Sequence, residues 1–280
     1  MTPIPPQERQ KIRKCFICGS LAEFECEKDF TLRESICPKC GTRRRYSDLA
    51  GIILDTFLPN DNTFLRQAAL KLGSLSIYEA STTGPVHDAL CGLPHYTCSE
   101  FFNNIPMGQK NSEGILCQDL QNLTFSSDYF DLVITQDIFE HIQQPEKAFS
   151  EIWRILKPGG FHIFTIPYHE GKPTIRRIII EDRKEIQRFS PVLHGDSLRA
   201  EGALVYTDFG TDIDMMLEKI GFGLELIPCG IWYTPLEIPY ILGEKEYQTY
   251  LKYYKANDLC RFFKYNSWVF RSKKPENLVT

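Results

Sequence analysis

The period of the apolar positions switches back and forth along the chain, and the switching predicts the fold class. Phe130-Asp-Leu-Val-Ile-Thr135 is a short apolar run, the pattern of a strand buried on both faces of a parallel sheet. After a polar break, Pro145 stands where a first helical turn tolerates it. Ala148, Phe149, Ile152, Trp153, Ile155 and Leu156 then recur at helical spacing. Lys157-Pro-Gly-Gly160 is expected to stop that helix, and Phe161-His-Ile-Phe-Thr-Ile166 to form the next strand. Strand, helix and strand make a βαβ unit, so the core is expected to be α/β.

The same reading extends outward. Residues 47–71 read as two helices, carried by Leu49, Ile52 and Ile53, then by Phe64, Leu65 and Ala68. Pro59-Asn-Asp-Asn62 separates them, and Asn62 or Thr63 is expected to cap the second. Strands are expected at 75–79, 95–100 and 114–120, with a turn at 80–85 opening a helix. Beyond the fifth strand comes a polar insertion, about 169–206, in which 189–196 reads as loop and 203–206 as a strand. Thr211-Asp-Ile-Asp214 has the form of a capping box, and Gly221 is expected to end the helix that follows. Strands at 222–227 and 267–271 complete the pattern, around a Tyr-rich stretch at 235–260. The Pro-rich residues 1–14 read as a flexible lead-in and 273–280 as a polar tail.

Composition narrows the class. The chain has 280 residues, 42% hydrophobic and 24% charged, ordinary values for a globular protein. A net charge of −4 gives no global reason to expect nucleic acid or a membrane surface. No apolar run approaches the roughly 20 residues that span a bilayer, and the first residues lack the apolar stretch of a secretory signal. A cytoplasmic location is the expectation. Ten cysteines then point to metal or free thiols rather than disulfides.

Four of these cysteines are paired: Cys15-Phe-Ile-Cys18-Gly19 and Cys37-Pro-Lys-Cys40-Gly41. Two-residue spacing turns both sulfurs of a pair toward one ion, and two such knuckles complete a tetrahedral site suited to structural zinc. Cys26, between the pairs, is not needed. Such a closed site stabilises and leaves no position open for catalysis. Arg43, Arg44 and Arg45 follow. They could contact phosphate, but ten Lys/Arg against seven Asp/Glu in residues 1–50 favour a solvated face or pairing with carboxylates of the main domain.

FDLVIT, DIFEHI, LKPGG and FHIFTIP, in this order, resemble the fourth and fifth strands of class I S-adenosylmethionine (SAM) dependent methyltransferases. CPKCG, with Arg33-Glu34 before it and Arg43-Arg-Arg-Tyr46 after it, resembles zinc ribbons attached to bacterial methyltransferases. The resemblance implies a Rossmann-like sheet of seven strands with helices on both faces. It also implies a ribbon over 1–46 and a methyltransferase domain over 47–280 carrying the insertion. Cofactor-binding positions carried over are Glu79, Ser81, Gly84, Glu100, Asp119, Leu120 and Gln136. Glu100 matches the acid that accepts both ribose hydroxyls, and Asp119 the acid that receives the adenine amino group, with the Leu120 amide near the ring. Phe101 and Phe102 fall near the adenine or in the core. In the turn after the first strand, Ser81 and Thr83 stand where the family has glycines, and only Gly84 remains.

Asp137, Glu140 and His141 would share one face if a helical turn begins at Asp137, and that face could hold Mg²⁺ as in metal-binding ExxEH methyltransferases. His141 could instead act as general base. His169, His194, Asp196 and Tyr206 are the other substrate-side candidates. The expected function is SAM-dependent methyl transfer to a small-molecule or glycan-related acceptor. The alternatives are an RNA methyltransferase docking through its ribbon and a catalytically degenerate binding module. The NPPY-type motif of amino-group DNA methyltransferases is absent after the fourth strand.

Overall fold

The computed structural model describes residues 12–25, 32–169, 171–182, 184–195, 200–230, 248 and 267–276. Cys26, Asp196 and all but one residue of 235–260 lie outside them, as do 1–11 and the last residues of the tail.

The chain opens with a hairpin, β1 (Ile12–Lys14) and β2 (Leu21–Glu23), whose turn carries the first cysteine pair. The long helix α1 (Arg44–Phe57) and the short α2 (Leu65–Ala68) follow. Helix α1 starts inside the basic triplet, ahead of the expected start at 47. No side chain caps α2: Phe64 occupies the cap position, and the Thr63 hydroxyl faces Gln67 at 3.2 Å. The chain then alternates as expected through β3 (Ile77–Glu79), α3 (Pro85–Leu90), β4 (Tyr96–Glu100), β5 (Leu116–Cys117), β6 (Phe130–Gln136), α4 (Pro145–Ile155) and β7 (Leu156–Thr165).

α4 ends at Ile155, just ahead of Lys157-Pro-Gly-Gly160, as expected, but no loop separates it from the next strand. The helix passes straight into β7, and the two glycines make an irregular step in that strand. Gly159 has φ +82°, and a Cβ on Gly160 would lie 2.9 Å from the Lys157 carbonyl oxygen and 3.1 Å from that of Phe130. These glycines let β7 close against β6.

The insertion and the residues flanking it form short strands: β8 (Tyr168–His169), β9 (Ile175–Arg176), β10 (Ile178–Glu181), β11 (Lys184–Gln187), β12 (Leu193–His194) inside the expected loop, β13 (Ala203–Leu204) within the expected strand, and β14 (Thr207–Gly210). β10 pairs with β11, β12 with β13, and β14 lies between β8 and β9. The expected capping box at 211–214 does not form. The Thr211 hydroxyl donates to Lys172 and Asp212 takes the cap position of α5 (Ile213–Ile220). Gly221, at φ +106°, ends α5 as its sequence position implied. β15 (Gly223–Gly230) and β16 (Ser267–Lys273) complete the main sheet.

That sheet has seven strands in the order β15-β16-β7-β6-β3-β4-β5. Pairing is parallel from β7 to β5, and β16 runs antiparallel to both its neighbours. From the centre, β3 leads outward through β4 to β5 while β6 leads the other way to β7, so the strand order reverses between β3 and β6. Ligands of open α/β sheets bind at the carboxyl ends of the strands beside such a reversal.

Each face of the sheet is buried. On one, Phe130, Val133, Phe164 and Phe270 pack with Phe149 and Ile152 of α4 and Leu217 of α5. On the other, Ile77, Leu132, Ile163 and Val269 join Leu49 and Ile53 of α1, and this cluster continues into Cys15, Ile17 and Cys37 of the N-terminal segment. The ribbon and the main sheet therefore share one core. The chain backbone ties them as well, with the Leu65 amide donating to Phe16 at 2.7 Å.

Candidate cofactor and metal sites

Glu79, Glu100 and Gln136 all end parallel strands on the same edge, beside the reversal. Glu79 is fully buried. Its carboxyl accepts from the Tyr96 hydroxyl at 2.7 Å and from the Gln136 side-chain amide at 2.6 Å. Burial pushes its pKa up to about 8, more than these two donors offset. Tyr96 in turn meets His87 Nδ1 at 2.9 Å, so Glu79 sits in a chain of its own neighbours.

Glu100 faces the turn between β3 and α3. Its Oε1 accepts from the Thr82 amide at 2.8 Å and from the Thr82 hydroxyl at 2.9 Å. In the same turn the Ser81 hydroxyl engages the Thr83 backbone. Gly84 has φ +100°, and a Cβ there would meet nothing within 4 Å. The turn therefore needs glycine for its backbone angle and borders open space. Asp119 lies just past β5, where its Oδ1 accepts from the Gln121 amide at 2.8 Å, and Leu120 beside it is buried. Phe101, next to Glu100, is exposed. A turn with room beside it, a strand-end acid against it and an exposed ring fit an adenosine-type cofactor.

Asp137 departs from its expected role. It has φ +51°, a left-handed conformation that aspartate tolerates better than most residues, so no helical turn begins there. Its carboxylate meets Arg33 at 2.5 Å and Arg45 at 3.1 Å, both from the ribbon. Burial would raise this carboxyl; the two guanidinium groups hold it below the usual range. Asp137 thus joins the ribbon to the end of β6 and does not face Glu140 and His141. The basic triplet is committed to carboxylates throughout: Arg43 and Arg45 to Glu34, Arg44 to Asp48.

Glu140 and His141 lie in a single 3-10 turn, Phe139–His141, and His194 reaches them from β12. The Glu140 Oε1 is 3.6 Å from His141 Nε2 and 3.7 Å from His194 Nδ1. His169 is buried; burial first, then the nearby Arg177, drives its pKa down to about 3, so it stays neutral. It faces Asp208, which Arg177 also meets at 2.8 Å. Tyr206 is apart from the histidines: its hydroxyl donates to Glu185 at 2.8 Å. Of the substrate-side candidates, His141 and His194 come together, His169 is a buried neighbour, and Asp196 lies outside the described residues.

The four paired cysteines converge. Cys15 and Cys40 sulfurs are 3.7 Å apart, Cys18 and Cys37 4.0 Å, and all four lie within 4.8 Å of one another. Four sulfurs at about 2.3 Å from a tetrahedral ion would stand about 3.8 Å apart. Gly19 and Gly41, at φ +79° and +72°, fold each knuckle so that their amides donate back to Cys15 and Cys37.

Sequence reasoning gave no role to Thr82, Tyr96 or Arg33. In the turn after β3 the family resemblance bears on Ser81, Thr83 and Gly84, not on Thr82. Arg33 meets Asp137 across 104 residues of chain, and no local pattern signals that. The contact of Arg45 with Asp137 is the expected pairing of the triplet with a carboxylate.

Residues 96–164 match the family model described as a methyltransferase domain. No curated protein matches the chain. Solved structures similar to it include a SAM-dependent methyltransferase from Mesorhizobium loti (15% identity, 75% of this chain and 95% of that one, TM-score 0.40). The YcgJ protein of Bacillus subtilis shares 13% identity over 83% of this chain and 100% of that one, with a TM-score of 0.42. The [4+2]-cyclase SpnF shares 13% over 90% and 88%, with a TM-score of 0.43. Among the described residues no helix is long and apolar enough to cross a membrane. The segment that matches the methyltransferase-domain model runs from β4 into β7, through the middle of the sheet described above, and lies after the four-cysteine module.

Proposed function

We propose that the chain transfers a methyl group from SAM to a small-molecule or glycan-related acceptor, and that its N-terminal module, 1–46, holds a structural zinc ion on Cys15, Cys18, Cys37 and Cys40. The observation that carries the first part is Glu100 at the end of β4, laid against the turn that Gly84 opens. Glu100 would grip the ribose hydroxyls, Asp119 and the Leu120 amide the adenine, and Phe101 would lie over the ring. The Ser81 and Gly84 turn would face the rest of the cofactor, with Gln136 and Glu79 as the polar floor beneath it. Bound there, SAM supplies an electrophilic methyl group, and the protein's contribution is mostly alignment of the acceptor behind it. His141, at the end of β6, is the candidate to take the acceptor's proton.

An RNA acceptor is the weaker alternative. Every arginine of the 43–45 triplet already has a carboxylate partner, which leaves little free charge for phosphate. One observation favours a degenerate binding module: Thr82 already donates twice to Glu100. Calorimetric titration with SAM separates the readings. Saturable binding at one equivalent, lost in Glu100→Ala, is the expected result. A folded, zinc-loaded protein that takes up no SAM overturns the enzyme reading.

A further inference from the structure

Glu140 is 1% exposed, and neither of its carboxylate oxygens has a hydrogen-bond donor among the described residues. A buried carboxylate left in that state is destabilising by several kcal/mol unless a cation compensates it. The nearest nitrogens, His141 Nε2 at 3.6 Å and His194 Nδ1 at 3.7 Å, are too far for hydrogen bonds. They are at the right separation for a shared ion: ligands about 2.1 Å from a tetrahedral centre stand about 3.4 Å apart.

The surroundings prepare these atoms as ligands. His141 Nδ1 lies 2.8 Å from the Leu204 carbonyl oxygen. A carbonyl only accepts, so Nδ1 carries the hydrogen, which leaves Nε2 as the ring atom available to coordinate an ion beside Glu140. Leu204 belongs to β13, which pairs with the strand that bears His194, so one hairpin both supplies a ligand and orients another. The Tyr206 amide donates to the Glu140 carbonyl at 2.7 Å and fixes the turn beneath. The two imidazoles meet edge to face, at 89°.

We infer that Glu140, His141 and His194 form a second metal site, separate from the cysteines, for a nitrogen-preferring divalent ion such as Zn²⁺. Two imidazoles and one carboxylate disfavour Mg²⁺, which prefers oxygen and water. Three protein ligands leave a coordination position open. The His141 and His194 side chains are 19% and 25% exposed, so that position is reachable from solvent. If the methyltransferase reading holds, an ion past the end of β6 would bind the acceptor's oxygen and lower its pKa, and would replace His141 as the means of activating it, because a coordinated Nε2 has no lone pair left for a proton; the site itself does not depend on that reading.

The test is metal content of the full chain after equilibration with Zn²⁺ and removal of loose ion, read by elemental analysis. The expected result is two zinc ions per chain, falling to one in His194→Ala and in Glu140→Gln, with the remaining ion lost in Cys18→Ser. His194 is partly exposed on a short hairpin, so its variant is expected to melt as the metal-free parent does. One zinc ion in the parent, or two in both His194→Ala and Glu140→Gln, overturns the site. Mg²⁺ displacing the second ion at equal concentration overturns the choice of metal. None of these readings uses SAM, so failure here leaves the SAM titration untouched, and failure there leaves this count untouched.

Discussion

At the scale of single residues, Glu79 has the clearest measurable consequence. Burial disfavours the charge and pushes its carboxyl up to about 8, from an ordinary value of 4.5. Between those two values the folded state holds a proton that the unfolded chain has released, so this group makes stability fall as pH rises, by about 1.4 kcal/mol per pH unit. Burial drives His162 and His169 the other way, to about 3, so each makes stability fall as pH drops below 6.5. Denaturant midpoints from pH 5 to pH 9 should show a decline above about pH 6.5 that Glu79→Gln removes. The new amide can be accommodated by rotating Gln136, whose buried Oε1 has no donor among the described residues. A variant with the same decline as the parent would mean that Glu79 is ionised at neutral pH.

At the scale of elements, the junction between the ribbon and the end of β6 rests on Asp137. Asn at this position keeps the tolerance for φ +51° and removes only the charge. Asp137→Asn leaves Arg33 and Arg45, both largely buried, without their shared partner. It should destabilise the protein on the order of 3 kcal/mol and speed proteolysis within residues 12–46. An unchanged melting temperature would show that the two guanidinium groups rely on Glu34 instead. β6, α4 and β7 were legible in the sequence because each is one uninterrupted period of apolar residues. The cysteine module was legible because its ligands are close neighbours in the chain. The meeting of Glu140 with His194, and of Asp137 with Arg33, was not, because it depends on how a hairpin of the insertion and a turn of the ribbon fold back onto β6. The helix stop at KPGG was legible too; what was not is that the same glycines serve strand-to-strand approach, so that β7 begins at Leu156 rather than at Phe161.

At the scale of the whole molecule, the shared core makes the four-cysteine module part of the fold rather than an appendage. Ile17 and Cys37 pack in the same cluster as Leu132, Ile163 and Val269 of the central sheet. Arg13 and Arg44 both donate to the Cys229 carbonyl and both pair with Asp48, whose pKa burial lifts to about 6 against the pull of Arg13. Stripping zinc with a strong chelator should lower the main calorimetric transition as a whole. Two separate transitions, with the upper one unmoved, would show that the module melts alone. The position of β16 bears on synthesis of the chain. This strand sits between β7 and β15, and it is the last described strand to leave the ribosome. The hairpin β1–β2 packs against a core that Val269 completes, so residues made well before β16 wait for it before their apolar face is fully covered. A nascent chain paused before residue 267 would expose that face to chaperones, and the seven-stranded sheet would be completed only after β16 had been made.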